Sequence, residues 1–153
     1  MIFPLSYPSP LDEENSSVTY KALSRITDKL VSIKVFSLPT NFYHEEDLEL
    51  LKTIEHPFID KLIDVYVDKQ QIWFVRDYSQ LGSIADIMKI TQVPLNEPEI
   101  SCICYSTLYA LDYIHTLNKV HKGVKLTNIT VNASGQIKLS DFGISYSEFT
   151  SLT

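Results

Sequence analysis

The densest run of side chains able to do chemistry lies between positions 119 and 143. It holds His121, Lys122, Lys125 and Asn128 and, past a short turn, Asp141-Phe142-Gly143, with Gly123 two residues after the histidine. These are types with which proteins take up a proton, contact phosphate or hold a divalent cation. Taken singly, each has a plain structural reading. A lone Asp-Phe-Gly is a weak signal, and a lone histidine is more often packing than catalyst. His44, His56 and His115 have no neighbours at metal-ligand spacing and read as structural or exposed. Cys102 and Cys104 are two apart in a helical pattern and do not share a face, so they read as buried small hydrophobes rather than a metal pair or a disulfide.

Order and spacing say more than the types. The run His121-Lys122-Gly123-Val124-Lys125-Leu126-Thr127-Asn128, then Ile129–Val131, a turn, Ile137–Leu139 and Asp141-Phe142-Gly143, resembles the catalytic and magnesium loops of protein kinases. That pattern is H-R-D-L-x-x-x-N followed by D-F-G. The resemblance implies ATP and magnesium as cofactors, with the metal held by Asn128 and Asp141. It also implies a vestigial catalytic set, His121, Gly123 and Lys125. In the family, the aspartate of H-R-D accepts the proton of the substrate hydroxyl. Here that position is Gly123, which has no side chain, and Lys125 stands beside an empty place.

Elements to position these groups are legible on both sides. Residues 1–10, with three prolines, read as an extended lead-in. Residues 11–22 resemble the glycine-rich hairpin of kinases with its glycines replaced by Asp12, Glu14 and Ser17. Two carboxylates there repel a triphosphate. Leu30–Val35 alternates as a half-buried strand and resembles V-A-I-K, making Lys34 the phosphate-contacting lysine. Phe42–Ile54 follows as an amphipathic helix whose family glutamate falls on Asp47, with Glu46 as a neighbour able to substitute. His56-Pro57 closes it. Strands are expected at Leu62–Val67 and Ile72–Val75, and Arg76 then takes the gatekeeper position, able to pair with Asp47 or Asp141. Asp77 and Ser79 take hinge positions in the nucleotide-binding set.

Gly82–Met88 resembles the short helix after the hinge in germinal-centre and sterile-twenty-like kinases. Asn96-Glu97-Pro98-Glu99 is a strong helix start, and Ile100, Ile103, Leu111 and Ile114, with Cys104 and Thr107 between, are expected to form the buried face. The expected organisation is α+β and protein-kinase-like. A lead-in over 1–10 precedes a partial domain over 11–149, divided into an N-lobe (11–78) and a hinge with the start of the C-lobe (79–149). Residues 150–153 read as the beginning of an activation segment.

The departures from the pattern have a direction. The side chains that sandwich adenine in the family fall on Thr19, Ser32 and Thr130, all small and polar. The stack joining the lobes falls on Leu51, Leu62, His121 and Phe142, each of a type that can fill it. Lys34, Asn128 and Asp141 keep two readings, residual nucleotide contact or a hydrogen-bonded structural cluster, because buried charge must be paired. The expectation is a serine/threonine-type pseudokinase that binds proteins, another kinase or a second copy of itself, with no bound cofactor. The alternatives are a weak ATP-dependent kinase completed by another chain and a non-functional fragment. A net charge of −6 gives no attraction to nucleic acid or anionic membrane. No secretory signal or membrane-spanning run is legible, which points to the cytoplasm or nucleus.

Overall fold

The computed structural model describes residues 5–14, 17–37, 45–68 and 71–142, with side chains from residue 17 onward except those of 45–47. The chain divides into two compact units, Met1–Ile54 with Lys61–Tyr78, and Glu55–Asp60 with Ser79–Thr153.

The first unit is an antiparallel sheet of β1 (Leu5–Glu14), β2 (Ser17–Ser24), β3 (Leu30–Ser37), β4 (Leu62–Asp68) and β5 (Gln71–Asp77), in the order β1-β2-β3-β5-β4. Alternation in β3 sends Val31 and Ile33 to one face, where they meet Ala22 and Val75. Burial of each such branched side chain stabilises by about 1.5–3 kcal/mol. The lead-in reading of residues 1–10 is corrected from Leu5 onward, where the chain is already strand and pairs with β2. Pro8 and Pro10 are tolerated because β1 is an edge, where an absent N–H leaves no partner wanting, and the register shifts around them. The expected helix forms as α1 (Glu45–Thr53), while Phe42–His44 lie outside the described residues. Ile54 at its end is buried and Leu48 and Leu51 are half-buried. α1 packs along β4, where Lys52 Nζ reaches Glu49 Oε1 at 3.0 Å and Asp64 Oδ1 at 3.3 Å.

The second unit contains α2 (Ile84–Thr91), α3 (Glu97–Thr116) and a hairpin of β6 (Ile129–Val131) and β7 (Ile137–Leu139). Both helices start with reciprocal capping boxes, Ser83 with Asp86 and Asn96 with Glu99. α3 ends where Asn118 turns left-handed (φ 55°), with Asn118 N–H donating to His115 O at 2.9 Å and Lys119 N–H to Ile114 O at 3.3 Å. In the hairpin turn Asn132 Oδ1 accepts from the amides of Ser134 and Gln136, and Gly135 adopts φ 77°. The segment Glu55–Asp60 is stitched to β7 by Leu139 N–H to Phe58 O and Asp60 N–H to Leu139 O. His56 stacks on Tyr113 at 4.9 Å.

The buried stripe of α3 is Ile103, Ser106, Thr107, Ala110 and Ile114. Ile103, Thr107 and Ile114 of the expected face are in it, and the rest of that face is corrected. Cys102 and Cys104 are exposed thiols, Ile100 is 39% exposed and Leu111 is half-buried. β7 packs against α3, and the inward stripe of the helix includes the small residues Ser106, Thr107 and Ala110, which allow a close approach. Tyr105, Leu108 and Tyr109 are left exposed. No described helix is long and apolar enough to cross a membrane.

Candidate functional site

Strand register gathers the first set of candidate residues. Thr19 lies opposite Lys34, Lys34 opposite Phe74, and Ser32 opposite Arg76. Residues directly opposite one another in an antiparallel pair present their side chains on the same face. Thr19, Ser32, Lys34 and Arg76 therefore share one face of the sheet with Phe36, Ile72 and Phe74, and the core of Val31 and Ile33 occupies the other. Phe36 and Phe74 are buried and meet edge to face at 5.9 Å, with Lys34 Nζ 5.6 Å from the Phe36 ring centroid. Arg76 is buried, at 6% exposure. A guanidinium thus stands on this face next to the Ser32 position, and the Ser32 hydroxyl donates to Asp77 O at 3.4 Å. The side chains of Asp12, Glu14, Glu46 and Asp47 lie outside the described set, as does Gly143. Of the remaining N-lobe positions, Asp77 is exposed, Leu51 half-buried and Leu62 buried.

The second set is assembled by the second unit alone. Lys125 opens a short 3-10 turn, Leu126–Asn128, that delivers Asn128 into the interior at 6% exposure. Asn128 Nδ2 donates to Gly123 O at 2.9 Å. A carbonyl only accepts, so the amide is oriented by this bond, and its oxygen is the atom Asn128 can offer a cation. Gly123 N–H donates to His121 Nδ1 at 3.2 Å, which leaves the ring proton on Nε2, 2.9 Å from Ser140 O. Ser140 returns two donors to Asn128 O, its amide at 2.8 Å and its hydroxyl at 3.1 Å. The bonds close a circuit through Ser140, Asn128, Gly123 and His121. Phe142 packs against the histidine, ring centroids 6.0 Å apart.

Two residues beside this circuit have left-handed backbones, Lys122 (φ 59°) and Asp141 (φ 65°). Aspartate tolerates that region. Lysine there costs roughly 1–2 kcal/mol, and such strain persists only where surrounding bonds hold it. Gly123 itself is not in the left-handed region, and a Cβ built on it meets nothing nearer than Asn128 Nδ2 at 3.4 Å. The backbone there makes no demand for glycine.

The motif spacing joins His121, Asn128, Asp141 and Phe142; in the structure His121 and Asn128 share the circuit with Gly123 and Ser140, Phe142 packs on His121, and Asp141 follows Ser140 directly in the chain. Ser140 was missed. The only signal for it was its place immediately before Asp141, with nothing in its type to mark it. Thr130 is spent on the hairpin, donating to Lys138 O at 3.4 Å, and Lys125 and His115 are exposed. Among the described residues no group of three or more histidine, cysteine, aspartate or glutamate side chains could hold a metal.

Residues 13–151 match the protein kinase domain family. The chain is 33% identical over 127 residues to serine/threonine-protein kinase 4 homolog B of Dictyostelium discoideum, covering 82% of this chain and 12% of that relative. It is 35% identical over 129 residues to serine/threonine-protein kinase 1 of Arabidopsis thaliana, covering 82% of this chain and 15% of the relative. The chain thus spans less than a fifth of the length of either. With the family match running through both units, and the catalytic-loop and magnesium-loop motifs in the second, this chain belongs to the protein kinase family.

Proposed function

We propose that this protein is a catalytically impaired, serine/threonine-type member of the family that acts by binding other proteins. The observation that carries the reading is the state of position 123. No side chain is present to take a proton, and His121 cannot substitute, because Nδ1 accepts from Gly123 N–H and Nε2 donates to Ser140 O. Removing the base does not by itself abolish phosphoryl transfer, which leans mainly on positioning and electrostatics. The polar sheet face of Thr19, Ser32 and Arg76 adds an independent defect in the place where the family packs adenine. A phosphoryl-transfer assay on purified protein with magnesium-ATP and generic protein substrates tests this. Turnover that disappears in Asn128→Ala would overturn it.

A second reading, residual magnesium-nucleotide binding, is favoured by the orientation of the Asn128 amide. Asn128 and Asp141 would hold the ion, which supplies charge neutralisation for phosphate. A thermal-shift titration with ATP, with and without magnesium, tests it, since a ligand that binds only the folded state raises stability by mass action. A saturable, magnesium-dependent shift supports nucleotide binding, and a flat response from a cooperatively unfolding protein removes it. The binding partners under the first reading are proteins, among them another kinase or a second copy, in the cytoplasm.

A further inference from the structure

The circuit of hydrogen bonds in the second unit has one member for which the family motifs assign no part. Ser140 is buried at 6% exposure and uses three groups at once: its amide and its hydroxyl converge on Asn128 O, and its carbonyl receives His121 Nε2. A second-row residue that only filled space would not need a hydroxyl, and a hydroxyl buried without a partner would cost about 1–3 kcal/mol. The acceptor it uses belongs to the residue whose side-chain amide is fixed on Gly123. One residue further along the chain is Asp141, in its left-handed conformation. Ser140 is thus bonded to one candidate cation-binding residue and covalently joined to the other.

We propose that Ser140 is a positioning residue that locks Asn128 and Asp141 into a single frame and thereby holds the loop around Gly123 in shape without a side chain at that position. The lock acts through the backbone of Asn128. The amide and hydroxyl of Ser140 both fix Asn128 O, and the side chain carried by that backbone reaches Gly123 O, so the two ends of Asn128 are tied to the two sides of the loop. The use of that frame for a cation rests on the second reading above. The frame itself does not.

Nuclear magnetic resonance on the full chain separates the two. In Ser140→Ala, solvent exchange of the Asn128 side-chain amide and of the Gly123 N–H is expected to accelerate about three- to tenfold, the factor corresponding to one ordinary hydrogen bond. Amides in the α3 core, such as Ile114, are expected to keep their rates. Ser140→Thr, which retains the hydroxyl, is expected to restore the loop. Should the added methyl of threonine disturb the fold, the localisation of the effect in Ser140→Ala still decides. Unchanged exchange at Asn128 and Gly123, or equal acceleration throughout the unit, overturns the proposal, because the latter is loss of stability alone. Manganese(II) is the probe for the cation. Paramagnetic broadening at Asn128 and Asp141 that Ser140→Ala weakens supports both the frame and its use, and broadening that Ser140→Ala leaves intact overturns the use of the frame for a cation, the frame itself being decided by the exchange rates. Local acceleration of exchange with no broadening in the natural chain supports the frame and removes the magnesium reading.

Discussion

The sheet face of the first unit and the loop circuit of the second carry the two halves of one family's chemistry, and they have departed from its pattern in different ways. On the sheet, the positions that the family pattern gives to the nucleotide are small and polar, Thr19 and Ser32, or bulky and charged, Arg76, while their neighbours on the same face, Phe36 and Phe74, are apolar and buried. In the loop, the one position whose side chain would serve the reaction alone has become Gly123, while every group that closes the circuit is present. Side chains with a second, structural employment are the ones that stay in type. A side chain that only touches substrate or nucleotide can go without leaving a cavity or an orphaned buried donor behind.

The largest effect that would sharpen this comparison is on the packed half of the sheet. Phe74 is fully buried, and Phe74→Ala is expected to cost about 3–5 kcal/mol. Trp73, the single tryptophan of the chain, sits beside it in β5 and reports the shift in a urea titration by fluorescence. Next comes the loop. His121→Ala removes a buried ring and leaves Ser140 O and Gly123 N–H without their partner, a loss of about 2–4 kcal/mol read as faster hydrogen exchange in β7 and the 126–128 turn. A loss below about 1 kcal/mol would break the claim that the circuit is structural.

Gly123→Asp is the most discriminating change and a small one in stability. A Cβ at 123 makes ordinary contact with Asn128 Nδ2 and the His121 ring and the backbone is outside the left-handed region, so the variant is expected to fold with stability changed by no more than about 1 kcal/mol. Under the proposed reading phosphoryl transfer is expected to be absent from this variant too, since Thr19, Ser32 and Arg76 are unchanged on the sheet face. Appearance of magnesium-dependent transfer in this single variant would break the comparison by showing that the sheet face was never limiting.

The smallest effect is a pH dependence. Burial lowers the His56 pKa from its ordinary value. His56 Nδ1 accepts from Phe58 N–H at 3.3 Å and the ring stacks on Tyr113, an arrangement that favours the neutral form. The unfolded state then binds the proton more tightly. Stability is full above the unfolded pKa of about 6.5, begins to fall below it, and is lost through the depressed folded pKa. Thermal unfolding between pH 7.5 and 5 is expected to show this slope in the natural chain and a weaker one in His56→Gln.

Local chemistry was enough to read much of this molecule from its residues. The alternation of Leu30–Val35, the Asn96 and Glu99 capping pair and the spacing from His121 to Asp141 each act within a few residues or one motif, and each produced the expected element. Other features depended on what lay opposite in space. Residues 5–10 become strand only because β2 offers an edge where Pro8 and Pro10 leave no bond unmade. The inward face of α3, which packs on β7, runs through Ser106 and Ala110, and Cys102 and Cys104 turn outward. Ser140 could not be singled out by type or spacing, since its bonds reach back twelve residues to Asn128 and nineteen to His121. Composition and order along the chain determined the family and the missing base. Only the tertiary structure decided which residues are hydrogen-bonded around Gly123, because bonds between distant residues are made by the fold and have no signature along the chain.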